Sequence, residues 1–302
     1  MENLLKIDEE SNTSGKKIVI HCQNRIKNDT TNGWLNNLQQ LSTLNQSKRN
    51  MSNRRILSGI FNKNKKVVVK MDRFRNEIIN EWNTYQKLIE NQIPNILPIY
   101  CFFSCLDDLS KYSGEKKVDS MCQKTGEPIY VIVMKYIDNP NLKMMDWMPN
   151  DLPIIKSVLQ QVLCTLLDAY LKIGFTHGDL NLQNILLESI DKNNIQTYHF
   201  EGHIIKIPII KYRIHLMDFE FSKFHQPIQN FYIDLKMFFS KINYNFTIQL
   251  LNTDIIFTYI NNLLQSNKNP IHVIPLIQKI NELQVIDSVF ERPKQRTYQP
   301  FL

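Results

Sequence analysis

One short polar loop constrains this chain more than any other stretch. It reads Thr176-His177-Gly178-Asp179-Leu180-Asn181-Leu182-Gln183-Asn184, and it leads directly into the apolar run Ile185-Leu186-Leu187. Before it, residues 153–173 carry Ile154, Ile155, Val158, Leu159, Val162, Leu163, Leu166, Leu167, Tyr170 and Leu171 at helical spacing and stop at Gly174, a C-cap signal. A core helix, a polar loop and a buried strand are therefore expected in immediate succession. Asp179 and Asn184 supply the loop with one carboxylate and, five residues on, one neutral amide oxygen. In an ordinary solvated turn such residues only bend the backbone, so the rest of the chain has to decide whether they do chemistry.

A chain of 302 residues can bury a large core, enough for one two-lobed domain or two ordinary ones. With 43% hydrophobic and 22% charged residues it has the composition of a soluble globular protein. Met1-Glu2-Asn3 is no basic-then-apolar leader, and no apolar run reaches the roughly 18 residues of a membrane span. A cytoplasmic, unanchored protein with no membrane partner is expected. Five cysteines (Cys22, Cys101, Cys105, Cys122 and Cys164) form no framework pattern, so reduced thiols are expected. Cys101 and Cys105 read as small apolar strand residues, because their spacing is not that of a zinc site. The net charge of +7 suits a polyanionic ligand. The basic residues are scattered, however, and no nucleic-acid-binding module is visible, so no nucleic-acid partner is expected.

Taken in order, residues 1–50 are rich in Asn, Gln, Ser, Thr and Lys and read as a polar, partly ordered extension. Within it, Lys17 to Cys22 predicts a strand and Trp34 to Leu44 a short helix. Ile56 to Phe61 and Val67 to Met71, on either side of an Asn/Lys turn at residues 62–65, predict a hairpin. Residues 75–90 place Ile78, Ile79, Trp82, Tyr85 and Leu88 on one helical stripe. Tyr130 to Tyr136 predicts a buried strand, and residues 106–128 before it a long insertion. A polar stretch from Glu188 to Glu201 precedes two further strands that end at Met217-Asp218-Phe219-Glu220. His199, His203 and His215 alternate along these strands and read as ordinary, partly exposed histidines. Phe231 to Phe239 opens another buried helix. Two weaker helices follow, around 252–265 and 271–284, before a polar tail at Glu291 to Leu302.

The motifs taken together resemble the protein-kinase-like phosphotransferases. His177-Gly178-Asp179 with Asn184 resembles the family's catalytic loop, H-x-D-x-x-x-x-N. Val67-Val68-Val69-Lys70 resembles the strand whose lysine holds the nucleotide phosphates. Pro94-Asn95-Ile96 resembles the segment after the αC helix, and alignment on it puts Glu81 in the place of that helix's glutamate, with Glu77 as the alternative. Asp218-Phe219-Glu220 resembles D-F-G, and Asp234 falls where the family has an aspartate that braces the catalytic loop. The match covers roughly residues 55–240, and its strength lies in the order of these motifs.

The resemblance implies an α+β, bilobal protein-kinase-like fold, with a β-rich N-lobe at 51–137, a mainly helical C-lobe at 138–302 and a shortened activation segment. It implies ATP and Mg2+ as cofactors. Asp179 would be the base for the acceptor hydroxyl, Lys70 and Glu81 would hold the phosphates, and Asn184 and Asp218 would bind the metal. Met134 would be the gatekeeper, the backbone of Lys135 and Ile137 would meet the adenine edge, and Gly59 is the single glycine available to the phosphate-covering loop.

Four departures bear on function. No G-x-G-x-x-G precedes Lys70. Gly178 replaces the arginine of H-R-D, and Asn181 replaces the lysine that commonly neutralises the transferred phosphoryl group. Glu220 replaces the DFG glycine, and only about a dozen residues separate it from the next helix, with no A-P-E and no room for a peptide-docking shelf. Such features resemble atypical branches, the haspin-like and large-virus protein kinases and the aminoglycoside and choline phosphotransferases. The expected activity is γ-phosphoryl transfer from ATP to a protein serine or threonine. A small hydroxyl compound as acceptor and a non-catalytic pseudokinase are the alternatives.

Overall fold

The computed structural model describes residues 10–11, 17–22, 38–43, 54–61, 65–112, 121–122, 126–138, 141–200, 202–245, 250–251, 253–266 and 269–285. Residues 62–64 of the turn expected at 62–65, residues 113–120 and 123–125 of the 106–128 insertion and the tail beyond residue 285 lie outside them. The chain is mixed α+β, with a sheet-rich N-terminal region followed by a mainly helical one.

Seven antiparallel strands form the N-terminal sheet: β1 (Glu10–Ser11), β2 (Lys17–Cys22), β3 (Leu38–Thr43), β4 (Arg54–Phe61), β5 (Lys65–Asp72), β6 (Ile99–Asp107) and β7 (Glu127–Lys135), in the order β1-β2-β6-β7-β5-β4-β3. The polar N-terminal residues thus contribute strands at both edges. The helix expected at 34–44 is corrected over its described part, since 38–43 is strand β3. Leu38 and Leu41 are both buried, although residues three apart in a regular strand face opposite sides. Gln40 has a φ of 53° and the register with β4 shifts between Gln39 and Ser42, so a bulge turns Leu41 back to the face of Leu38. That spacing in sequence imitates a helix.

Strand alternation gives the sheet two apolar faces. One carries Leu57, Phe61, Val67, Val69, Met71, Cys101, Phe103 and Cys105 in a satellite core. The other, with Phe102, Ile132 and Met134, packs on α1 (Arg75–Glu90) through Ile78, Trp82 and Tyr85 and continues into the main core. Trp82 stacks on Phe102 with ring centroids 5.3 Å apart.

The cysteine expectation is corrected: Cys105 and Cys122 form a disulfide, their Cα atoms 5.5 Å apart. The insertion returns to the sheet at this point because buried Asp107 gathers it, accepting bonds from the Tyr112 hydroxyl (2.7 Å) and the Cys122 amide (2.9 Å). No spacing in the sequence reveals that fold-back. Cys101 and Cys164 are buried and take no part in a disulfide.

The second region is built on α2 (Leu152–Ile173), which ends at Gly174 in the left-handed conformation, φ 59°. A Cβ there would lie 2.7 Å from the His225 Cα, so the tight stop requires glycine. Of the described helices α2 alone is long and apolar enough to cross a membrane, and it is mostly buried within the protein. Strand β8 (Ile185–Ser189) pairs with β11 (Tyr212–Leu216). The residues inserted between them form a hairpin, β9 (Asn194–Phe200) with β10 (His203–Ile209), that lies against α2. Tyr198, Phe200 and Ile207 are buried there, and Ser157 of α2 donates to the Pro208 carbonyl at 2.5 Å. Helices α3 (Ile228–Asn245), α4 (Thr253–Ser266) and α5 (Ile274–Lys279) complete the core, and a short pair, β12 (Leu250–Leu251) with β13 (Gln284–Val285), follows α3 and α5.

The two regions are clamped at Pro94-Asn95-Ile96-Leu97. The Leu97 amide donates to the Leu216 carbonyl (3.0 Å), and the Leu216 amide to Asn95 (2.8 Å). Strand β11 is thereby aimed at Asp218.

Candidate functional site

Lys70 sits on β5 opposite Ile132 and is almost wholly buried. Its ammonium lies 2.6 Å from Glu81 Oε2 on α1 and 2.6 Å from Asp218 Oδ1 after β11. Burial opposes the charge on Lys70, but Glu81 and Asp218 outweigh it and hold its pKa above the ordinary value. Burial pushes the Glu81 carboxyl up to about 7, against the pull of Lys70. Burial also works against ionised Asp218, yet Lys70 prevails and holds that carboxyl below its usual range. Glu77, the alternative to Glu81, instead faces Arg54 at 3.0 Å.

Asp218 has a φ of 67°, rare for a residue with a side chain. Packing imposes it: Phe219 is fully buried against Tyr85 of α1 (centroids 4.8 Å), Phe175 (5.9 Å) and His177 (5.3 Å). With Phe219 so anchored and the Met217 amide donating to the Asn184 carbonyl at 3.0 Å, Asp218 turns toward Lys70.

The loop 176–184 is held from below by α3. Asp234 accepts the His177 amide at 2.6 Å and the Gly178 amide at 3.2 Å. Burial pushes the Asp234 carboxyl up and the His177 imidazole down. The neutral ring donates from Nε2 to the Met217 carbonyl at 3.2 Å, since a carbonyl can only accept. Asn184 is buried and gives its amide nitrogen to the Asp179 carbonyl at 3.0 Å. Asp179 keeps a half-exposed carboxylate, which accepts from the Asn181 amide.

The segment after Asp218 is stitched to the same loop. Thr176 and Lys223 exchange backbone bonds of 2.9 and 3.0 Å, and the Ser222 hydroxyl donates to the His177 carbonyl at 2.9 Å. Gly178 lies beneath this crossing with a φ of 78°, where a Cβ would be 2.4 Å from the Phe221 carbonyl oxygen. Glu220 is tied to Arg54 at 2.7 Å and is 3.8 Å from Lys70. Arg54 also meets Asp72 at 2.6 Å, so it joins β5, α1 and the Asp218 segment.

Met134 is buried at the end of β7, beneath the Tyr85 hydroxyl at 3.8 Å. The Lys135 amide donates to the Pro98 carbonyl at 2.8 Å, and its side chain pairs with Glu188, which also meets His215 at 2.7 Å. Burial, offset only in part by Glu188, holds His215 below its ordinary pKa. Ile137 is half-buried against the main core.

Gly59 is not brought into the site. It lies within β4 opposite Val67, on the face of Leu57 and Phe61, whereas Lys70 belongs to the other face about 10 Å further along β5. The connection between β3 and β4, residues 44–53, lies outside the described residues.

Three contributors are not legible in the motifs: Arg54, Glu220 as its partner, and Lys241. Lys241, on α3, donates to the Asn181 side-chain oxygen and lies 4.0 Å from Asp179 Oδ1. Its spacing of two helical turns from Asp234 is the one signal that could have revealed it. No protein-family model matches the chain, and no curated protein matches it in sequence.

Proposed function

We propose that this chain is an ATP-dependent phosphotransferase of bilobal, protein-kinase-like fold that transfers the γ-phosphoryl group to a serine or threonine hydroxyl of a protein. The observation that carries the reading is Lys70 held between Glu81, of the helix that follows its strand, and Asp218, 148 residues beyond Lys70, at 2.6 Å from each. An ammonium so fixed, beside a loop bearing a half-exposed carboxylate and a buried amide, suits a triphosphate and its acceptor.

The Asp218 carboxylate and the Asn184 amide oxygen are hard oxygen donors of the kind Mg2+ takes. Bound there, the metal would neutralise phosphate charge. Asp179 accepts the proton of the acceptor hydroxyl. That oxygen bonds to the γ-phosphorus while the bond from phosphorus to the β,γ-bridging oxygen breaks, and ADP leaves with the bridging oxygen. Glu81 fixes Lys70, Asp234 fixes the loop backbone, and Phe219 fixes Asp218, so catalysis here is mainly positioning.

Exposed Phe221, Ile233 and Met237 favour a polypeptide acceptor. They lie on the Asp218 segment and on the helix that carries Asp234, and they offer an apolar rim that a polar small molecule would not use. The brevity of the segment from Glu220 to Lys223, bonded directly to Thr176, favours a small hydroxyl compound instead. A cytoplasmic setting fits an ATP-dependent reaction, whereas the Cys105–Cys122 disulfide is more usual in oxidising compartments.

The test is transfer from γ-labelled ATP with Mg2+ to the protein itself, to an acidic protein and to a panel of small hydroxyl compounds, comparing wild type with Asp179→Asn. Label on protein, lost in Asp179→Asn, is the expected outcome. Transfer that survives the substitution, or no binding of Mg-ATP at millimolar concentration, would overturn the reading, the latter in favour of a pseudokinase.

A further inference from the structure

Phosphoryl transfer at Asp179 brings developing phosphate charge beside a carboxylate. At its second position after Asp179 the loop itself offers only neutral Asn181. The nearby cations Lys70 and Arg54 are engaged with Glu81 and Asp218, and with Asp72, Glu77 and Glu220. Lys241 reaches the loop from α3. Its ammonium bonds the Asn181 side-chain oxygen, reaches the Leu180 carbonyl at 3.5 Å and lies 4.0 Å from Asp179 Oδ1. Both side chains remain accessible, Lys241 at 29% and Asp179 at 32%.

Helix geometry explains how a residue so distant in sequence arrives there. Asp234 and Lys241 are seven residues apart on α3, two turns and about 10 Å along one face. The first turn takes the His177 and Gly178 amides, and the second reaches the next three loop residues. A lysine at Asn181 itself would place a second ammonium against that of Lys241, so neutral Asn181 and cationic Lys241 form a consistent pair.

We propose that Lys241 is a catalytic residue, which neutralises the transferred phosphoryl group from α3 in place of a loop lysine. This rests on the phosphotransferase reading. As the acceptor oxygen bonds to phosphorus and the bridging bond breaks, the non-bridging oxygens keep their charge. Lys241 meets that charge while Asn181 holds Asp179 in line.

The experiment uses the full chain and two readouts: steady-state transfer, and titration with Mg·ADP in the presence and absence of aluminium fluoride, which mimics the transferring group. Lys241→Met is expected to lower kcat on the order of 10²-fold, with little change in KM for ATP. It should weaken binding of the fluoroaluminate complex by a similar factor and leave Mg·ADP binding unchanged. Lys241→Gln, which keeps a donor for Asn181 but no charge, should fall as far. The double variant Asn181→Lys/Lys241→Met, which returns the charge to the loop, should recover most of the loss. Wild-type kcat in Lys241→Met or in Lys241→Gln would overturn the proposal, the latter reducing Lys241 to a brace for Asn181. A wild type that binds neither Mg-ATP nor Mg·ADP would sink the phosphotransferase reading and the role of Lys241 with it. Where nucleotide binds, fluoroaluminate binding left unchanged in Lys241→Met overturns the role of Lys241 alone.

Discussion

Gly178 lies directly under the carbonyl of Phe221, and two independent constraints exclude a side chain there. Its φ of 78° costs an L-residue about 1–2 kcal/mol, and a Cβ would stand 2.4 Å from backbone that is itself bonded into the Thr176–Lys223 crossing. Gly178→Ala is therefore expected to destabilise the fold by at least about 2 kcal/mol in denaturant unfolding, and to cost kcat more than ATP affinity, because Lys70 and Glu81 lie elsewhere. Unchanged stability would mean that the crossing opens readily. The motif identified this glycine as a lost arginine, while the reason for the loss, a short segment passing over it, exists only in three dimensions. Lys70, Glu81, Asp179, Asn184 and Asp218 were singled out through the resemblance, whose motifs and their order are written in the sequence. Lys241 was not, since its role depends on how far α3 extends beneath the loop.

At the level of elements, the reading succeeded where apolar periodicity is long and uninterrupted. The spacing predicted a helix over 153–173, and α2 spans Leu152–Ile173 with the glycine cap in place. It failed at β3, where a bulge converts a strand into a three-residue repeat, and at the cysteines of the insertion, which a buried aspartate and a disulfide draw back to the sheet. The Cys105–Cys122 bond closes a loop with a sequence separation of 17, for which loop entropy gives about 3 kcal/mol. Cys122→Ser, or reductant, should lower the unfolding midpoint by several degrees. Phosphate transfer should be unchanged below that temperature, because Cys105 lies on the sheet face opposite Lys70. Loss of transfer in step with the disulfide would show that the insertion reaches the site.

For the molecule as a whole, the sheet-rich and helical regions share one apolar core. It runs from Trp82 and Met134 through α2 to Ile277. The Leu97–Leu216 clamp, the Arg54–Glu220 pair and the Asn80 side chain, which donates to the Glu220 carbonyl at 2.7 Å, cross the same boundary. Among the described residues those links join the two regions through core, backbone and side chains alike, so heating should give a single transition. They also place the candidate nucleotide site on that boundary, since Lys70 and Glu81 come from one region and Asp218 from the other. A ligand binding there favours the joined state over every opened one. At about 100 times its dissociation constant, Mg-ATP should add about 2.7 kcal/mol to stability and raise the midpoint of the whole transition. Lys70→Met removes the ammonium that Glu81 and Asp218 both hold, and should abolish the shift. Asp218→Asn should abolish only the part that depends on magnesium, read as the difference between ATP with metal and ATP with chelator. A Mg-ATP shift that survives Lys70→Met in full would place the nucleotide away from this boundary.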